Sequence, residues 1–171
     1  MTVLHDRVLL IGMMGAGKTT CGHAASALLG WPYLDNDELL ARAMGKSTRD
    51  VLEQEGEAAL RRAESRALDL ALTEAGPLIA GVAGGVVTDA LDCDRLRTGS
   101  GLVVWLRASL ELLAARVAGT DRPWLGSSPL ESLERLYAGR ADLYASVAGL
   151  VIDVDELDPD EIAALIARKV I

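Results

Sequence analysis

Residues 7–20 read RVLLIGMMGAGKTT, and the fold is decided there. A short apolar run gives way to glycines, and these open onto a stretch with helical periodicity. Gly12, Gly17, Lys18 and Thr19 satisfy the spacing G-x-x-x-x-G-K-[ST] between a strand and a helix, which is the setting that pattern needs. The glycines let successive backbone amides face one anion, and the helix start adds its dipole. Lys18 brings a mobile charge for β and γ phosphates, and Thr19 offers an oxygen to Mg²⁺. The plain alternative, an ordinary Gly-rich strand-to-helix turn, has no need of the lysine and hydroxyl at these positions. Gly15, Ala16, Gly17, Lys18, Thr19 and Thr20 are therefore expected to hold the phosphates of ATP, with Mg²⁺ at Thr19.

Outward from this motif the chain alternates. Short β-rich runs, RVLLIG, PYL, PLIAGVA, GLVVWL and LVIDV, are separated by longer helical patterns beginning near Lys18, Glu38, Thr48, Glu57, Ser109, Pro129 and Asp158. Strands alternating with helices predict an α/β, three-layer sandwich of the P-loop NTPase type, a five-stranded parallel sheet flanked by helices. The 171 residues, half of them hydrophobic, are expected to form a single domain over 1–171. The stretch GTDRPWLGSSP is rich in Gly, Ser and Pro and predicts a mobile lid at about 119–128.

Composition narrows the partners. A net charge of −8 and a pI near 4.7 leave no basic footprint for nucleic acid. No apolar run approaches the roughly 20 residues of a membrane span, and the N-terminus lacks a basic leader, so no membrane partner and a cytoplasmic location are expected. Cys21 and Cys93 form no close-spaced pair, which supports neither a disulfide framework nor a zinc site. His5 and His23 have no third ligand at suitable spacing. The acidic runs EQEGE and DVDELDPDE read as solvated helix faces and starts. A monomer acting on a small molecule is expected.

Any anionic ligand must then be held by individual cations, with carboxylates placed for metal and acceptor. YLDNDELL, residues 33–40, carries Asp35 and Asp37 two apart, which in an extended chain puts both on one face. Asp35 suits Mg²⁺, and Asp37 suits the hydroxyl that attacks a γ-phosphate. The competing reading has Asp37 capping the helix that follows.

At this point GMMGAGKTT, LDNDE, GEAALRRAE, AGGVVTD, DRPWL and GRADLY, in this order and with these gaps, resemble the shikimate kinase family of small P-loop kinases. The resemblance runs from about Arg7 to the final helix. It implies ATP-dependent phosphorylation of the 3-hydroxyl of shikimate, under a lid that closes. It also implies that Asp37, Arg61, Gly84, Gly85 and Arg140 hold the substrate, with Arg61 and Arg140 on its carboxylate, where two guanidinium forks make chemical sense. Arg122 becomes the lid arginine over the phosphates, catalytic with Asp37 and Lys18, and Arg116 the adenine-side arginine if the loop shifts by one residue. Read from their own surroundings, Arg61 pairs with Glu57 along its helix, Arg140 is a surface residue, Arg122 is a solvated loop residue, and Arg116 packs on the sheet or pairs on its helix.

The chain departs from the family at Ala83, where a third glycine is usual, and at Leu52 and Leu60, where aromatics are common. A positive φ at Ala83 would cost on the order of 1 kcal/mol, and an ordinary strand conformation nothing. These departures favour a second reading, a related kinase for another small polyol or sugar acid; a third, a nucleotide-binding module without transferase activity, is opposed by the set Lys18, Asp35, Asp37 and Arg122.

Overall fold

Strands covered on both faces have no polar side to present, and the central runs of this chain are accordingly almost wholly apolar. The computed structural model describes residues 5–120 and 125–171. In it β1 (Arg7–Ile11) is buried at every position. Leu9 of β1 lies opposite Ala80 of β3 (Leu78–Gly81) on one side and Val103 of β4 (Leu102–Arg107) on the other. The two-residue β2 (Tyr33–Leu34) and β5 (Leu150–Asp153) form the edges. The sheet order is β2-β3-β1-β4-β5, every pair parallel.

That order dictates where the helices go. The connection from β1 to β2 runs through α1 (Lys18–Leu29) and steps one way across the sheet. The connection from β2 to β3 runs through α2 (Asn36–Met44), α3 (Thr48–Glu55) and α4 (Glu57–Thr73) and steps the other way. So do those through α5 (Ala90–Thr98) and through α6 (Leu110–Val117) and α7 (Pro129–Val147). Right-handed crossovers then put α1 on one face and the other helices on the opposite face. The final helix α8 (Pro159–Val170) returns to pack along α1, while α7 packs on α5, α6 and β4.

Arg7 is an unexpected charge in the central strand. It is 5% exposed and donates to the carbonyls of Ala71 and Glu74, both at 2.5 Å, at the end of α4. Those carbonyls lie at the negative end of the helix dipole, which suits a cation.

The five strands fall where the sequence puts them, and α8 opens on a full capping box between Asp158 and Glu161. Two differences have local causes. The second helix starts at Asn36 rather than near Glu38, because Asp35 is the cap: its Oδ1 accepts from the Glu38 amide at 2.8 Å. Asp37 therefore does not cap it. Helix α5 and the 3-10 turn Val86–Thr88 before it were not expected: the turn is three residues long, and the buried side of α5 includes Asp92, which interrupts the apolar pattern. Among the described residues no helix is long and apolar enough to cross a membrane. Four residues of the anticipated lid, 121–124 and hence Arg122, lie outside the described residues.

Candidate active site

Strands β1 and β3 are neighbours, yet the segments leaving their carboxyl ends go to opposite faces, and this opens a crevice. A cavity of about 930 Å³ occupies it. The glycine loop and the start of α1 line one part, and Asp37, Arg61, the Ala83–Gly85 turn and Arg140 line another.

In the phosphate half the glycines are required by the backbone. Gly12 has φ 145°, and a Cβ there would come 2.7 Å from the Leu106 carbonyl oxygen. Gly17, at φ 95°, is the N-cap of α1 and places no side chain over its first-turn amides, so these stay open to an anion. The Lys18 ammonium donates to the Gly12 and Met13 carbonyls at 2.8 and 3.1 Å, which holds it over the loop it serves. From α6, Arg116 Nη1 donates to the Gly15 carbonyl at 3.0 Å.

Thr19 and Asp35 line the same cavity and are oxygen donors, the class Mg²⁺ takes. Among the described residues no three His, Cys, Asp or Glu side chains gather as a metal cage. A cation here would draw its other ligands from phosphate and water, as Mg²⁺ with a nucleotide does.

The other half pairs acids with guanidinium groups. Asp37 sits in the first turn of α2, and its Oδ1 accepts from the Thr48 hydroxyl at 2.7 Å. On α4, Arg61 Nη1 meets Glu64 Oε2 at 3.0 Å, and Nη2 is 3.7 Å from Glu57 Oε1. Burial pushes the Glu64 carboxyl above the ordinary value, with Arg61 and then Arg140 opposing. Arg140, on α7, is only 6% exposed. One turn later Tyr144 donates its hydroxyl to the Gly84 carbonyl at 2.8 Å, and burial raises that phenol too, against the opposing Arg140. Glycines make the convergence possible. A Cβ on Gly84 would lie 3.3 Å from Arg140 Nη1, and one on Gly85 would overlap Arg61 Nη1.

Such a cavity can seat a polyphosphate at one end and a small organic anion at the other, with a carboxylate near both. The family model described as shikimate kinase matches residues 14–171. This chain belongs to the shikimate kinase family. A shikimate kinase of Ruegeria pomeroyi is 37% identical over 97% of this chain and 88% of its own length. One of Trichormus variabilis is 39% identical over 94% and 88%. The structure of shikimate kinase from Acinetobacter baumannii in complex with shikimate has a TM-score of 0.88 at 33% identity, covering 97% of this chain and 92% of that one.

Within this shikimate kinase fold, the structure gathers Gly15 to Thr20, Asp35, Asp37, Arg61, Gly84, Gly85, Arg116 and Arg140 around one cavity. The extended-chain argument for Asp35 and Asp37 does not survive, because Asn36 and Asp37 are already helical; the turn of the helix start brings both to the crevice. Arg140 is no surface residue, and Arg61 does pair with Glu57 but lies closer to Glu64. Arg116 reaches from α6 to the phosphate loop. Ala83 has no positive φ, so its methyl carries no backbone cost. Leu52 and Leu60 line the cavity, and His23 stacks edge-on against Tyr33 with ring centroids 4.8 Å apart.

Glu64, Tyr144 and Tyr33 line or brace the site and were not singled out. The first two were legible in principle. Glu64 stands three residues after Arg61 and Tyr144 four after Arg140, the spacings that share a helix face.

Proposed function

We propose that this chain transfers the γ-phosphoryl group of ATP to the 3-hydroxyl of shikimate, in aromatic amino-acid biosynthesis. One observation carries the reading: a single cavity joins the Lys18–Thr19 phosphate loop to Asp37 and to two guanidinium groups converging on the Gly84–Gly85 turn.

The residues divide the work. Arg61 and Arg140 grip the acceptor's carboxylate from two helices, which fixes its orientation as well as its position. Asp37, steadied by Thr48, accepts a hydrogen bond from the attacking hydroxyl and aims its oxygen at phosphorus. Lys18 leaves the Gly12 and Met13 carbonyls for the phosphate oxygens, where a fixed cation counters charge spread over the transferring group. Amides of Gly15 to Thr20 cradle the remaining phosphates, and Arg116 closes that end. Thr19 and Asp35 would hold Mg²⁺, which neutralises phosphate charge when bound. Arg122 retains a role over the phosphates on the strength of the family resemblance. We infer a monomer acting in the cytoplasm.

A coupled ADP-release assay tests the proposal. Shikimate should stimulate turnover, and Asp37→Asn should remove most of it while Mg·ATP affinity stays nearly intact. ATP binding with no shikimate-stimulated ADP release would overturn the transferase reading, and preferential turnover of quinate or gluconate would replace the acceptor.

A further inference from the structure

Tyr33 is held by unusually specific surroundings. Its ring occupies the volume that a side chain on Gly22 of α1 would need, since a Cβ built there overlaps the ring. Its oxygen lies 2.5 Å from where a Gly81 Cβ would stand, at the end of β3. His23 closes on the ring edge-on. A phenylalanine ring would meet Gly22 and His23 equally well, and Gly81 only makes room for the oxygen without bonding it, so none of these neighbours gives the hydroxyl a polar partner.

That hydroxyl is buried and has no hydrogen-bond partner among the described residues. A buried, unpaired hydroxyl costs desolvation free energy and calls for an explanation, such as strain, a catalytic role, or a partner that binds there. Thr19 approaches the phenol without completing a good hydrogen bond, and Asp35, Cys21 and Asp37 lie close enough to act on it through charge. All five residues line the cavity. A phenol hydroxyl can both donate and accept.

We propose that Tyr33 is a positioning residue for the Mg²⁺·nucleotide complex. Its phenol oxygen accepts a hydrogen bond from the Thr19 hydroxyl, which leaves the lone pairs of Thr19 free for the cation, and the phenol in turn donates a hydrogen bond to an oxygen brought in with the complex. The hydroxyl is thus unpaired in the empty protein and paired in the loaded one. This inference rests on the nucleotide half of the function proposed above.

Tyr33→Phe removes only the oxygen. The affinity of the ADP-bound protein for Mg²⁺, measured by calorimetry, should fall roughly tenfold, the loss of about one hydrogen bond. The thermal midpoint of the empty protein should hold or rise, and ADP affinity without Mg²⁺ and the KM for shikimate should stay within twofold. An unchanged Mg²⁺ affinity overturns this inference alone, as does a midpoint several degrees lower in the empty variant, which would mean that the hydroxyl is already paired. Failure of the unaltered protein to bind ADP in a Mg²⁺-dependent way overturns the nucleotide reading and this inference with it.

Discussion

Gly85→Ala separates substrate recognition from folding more sharply than any truncation of the arginines themselves. Gly85 has φ −84° and ψ −8°, a negative-φ conformation open to alanine, so the change brings no left-handed backbone strain. The added methyl instead meets the Nη1 end of Arg61, with Arg140 Nη2 3.4 Å away. A guanidinium tip moves more easily than a strand, so the variant should fold with Arg61 displaced from the cavity. Arg61 has 39% of its side chain exposed, and the ion pair it would surrender to Glu64 is worth less than about 1 kcal/mol after solvent screening. In a chain of this length that is a fall in thermal midpoint of about 4 °C at most. Losing a charged hydrogen bond to the substrate carboxylate costs more, about 1.5–3 kcal/mol, or roughly 10- to 150-fold. The KM for shikimate should rise by that factor while the KM for ATP holds. In an Arg61→Ala background the same alanine should add almost nothing. A shikimate KM within twofold of the parent, or full additivity of the two changes, would refute the placement of Arg61.

Three further expectations follow from the same geometry. Tyr144→Phe deletes the hydrogen bond to Gly84 and should cost about 1–2 kcal/mol, a fall of about 2–8 °C by calorimetry, together with weaker shikimate binding. Gly22→Ala drives a methyl into the Tyr33 ring and should cost about 1–3 kcal/mol; adding Tyr33→Leu should recover part of it, and strictly additive losses would count against the contact. Glu64 has its carboxyl raised by burial, so its contribution to stability is fully present below the ordinary glutamate pKa of about 4.3 and is lost as pH rises through the elevated value. The midpoint of Glu64→Gln relative to the parent should therefore climb from pH 4 toward neutrality, and a relative fall over that range would mean that the arginines outweigh desolvation.

The phosphate loop and the sheet were legible because each is written locally. A strand, three glycines at positive φ and a lysine follow one another within Arg7–Lys18, and a parallel sheet announces itself by continuous apolar runs. Asp35 and Asp37 were found for a partly mistaken reason, since helix start rather than strand pleat aims them. Arg140 could not be placed by its neighbours in sequence, because α7 presents it to a turn that follows β3, over fifty residues earlier in the chain. The Tyr33 hydroxyl was illegible for the same reason: its burial depends on α1 and β3 meeting around β2, and nothing in PYL says so. The α5 helix was missed because its buried side is short and includes Asp92, which breaks the apolar stripe.

The strand that makes the phosphate loop possible is also the middle of the sheet. As the chain leaves the ribosome, β1 emerges first, yet Ala80 and Val103, the residues that must flank Leu9, come late. Until β3 is made, this largely apolar segment and its unfinished glycine turn have no strand to pair with. Nucleotide can act as a folding ligand only after most of the polypeptide exists, and newly made chains interrupted before β4 are the species that holding chaperones should capture.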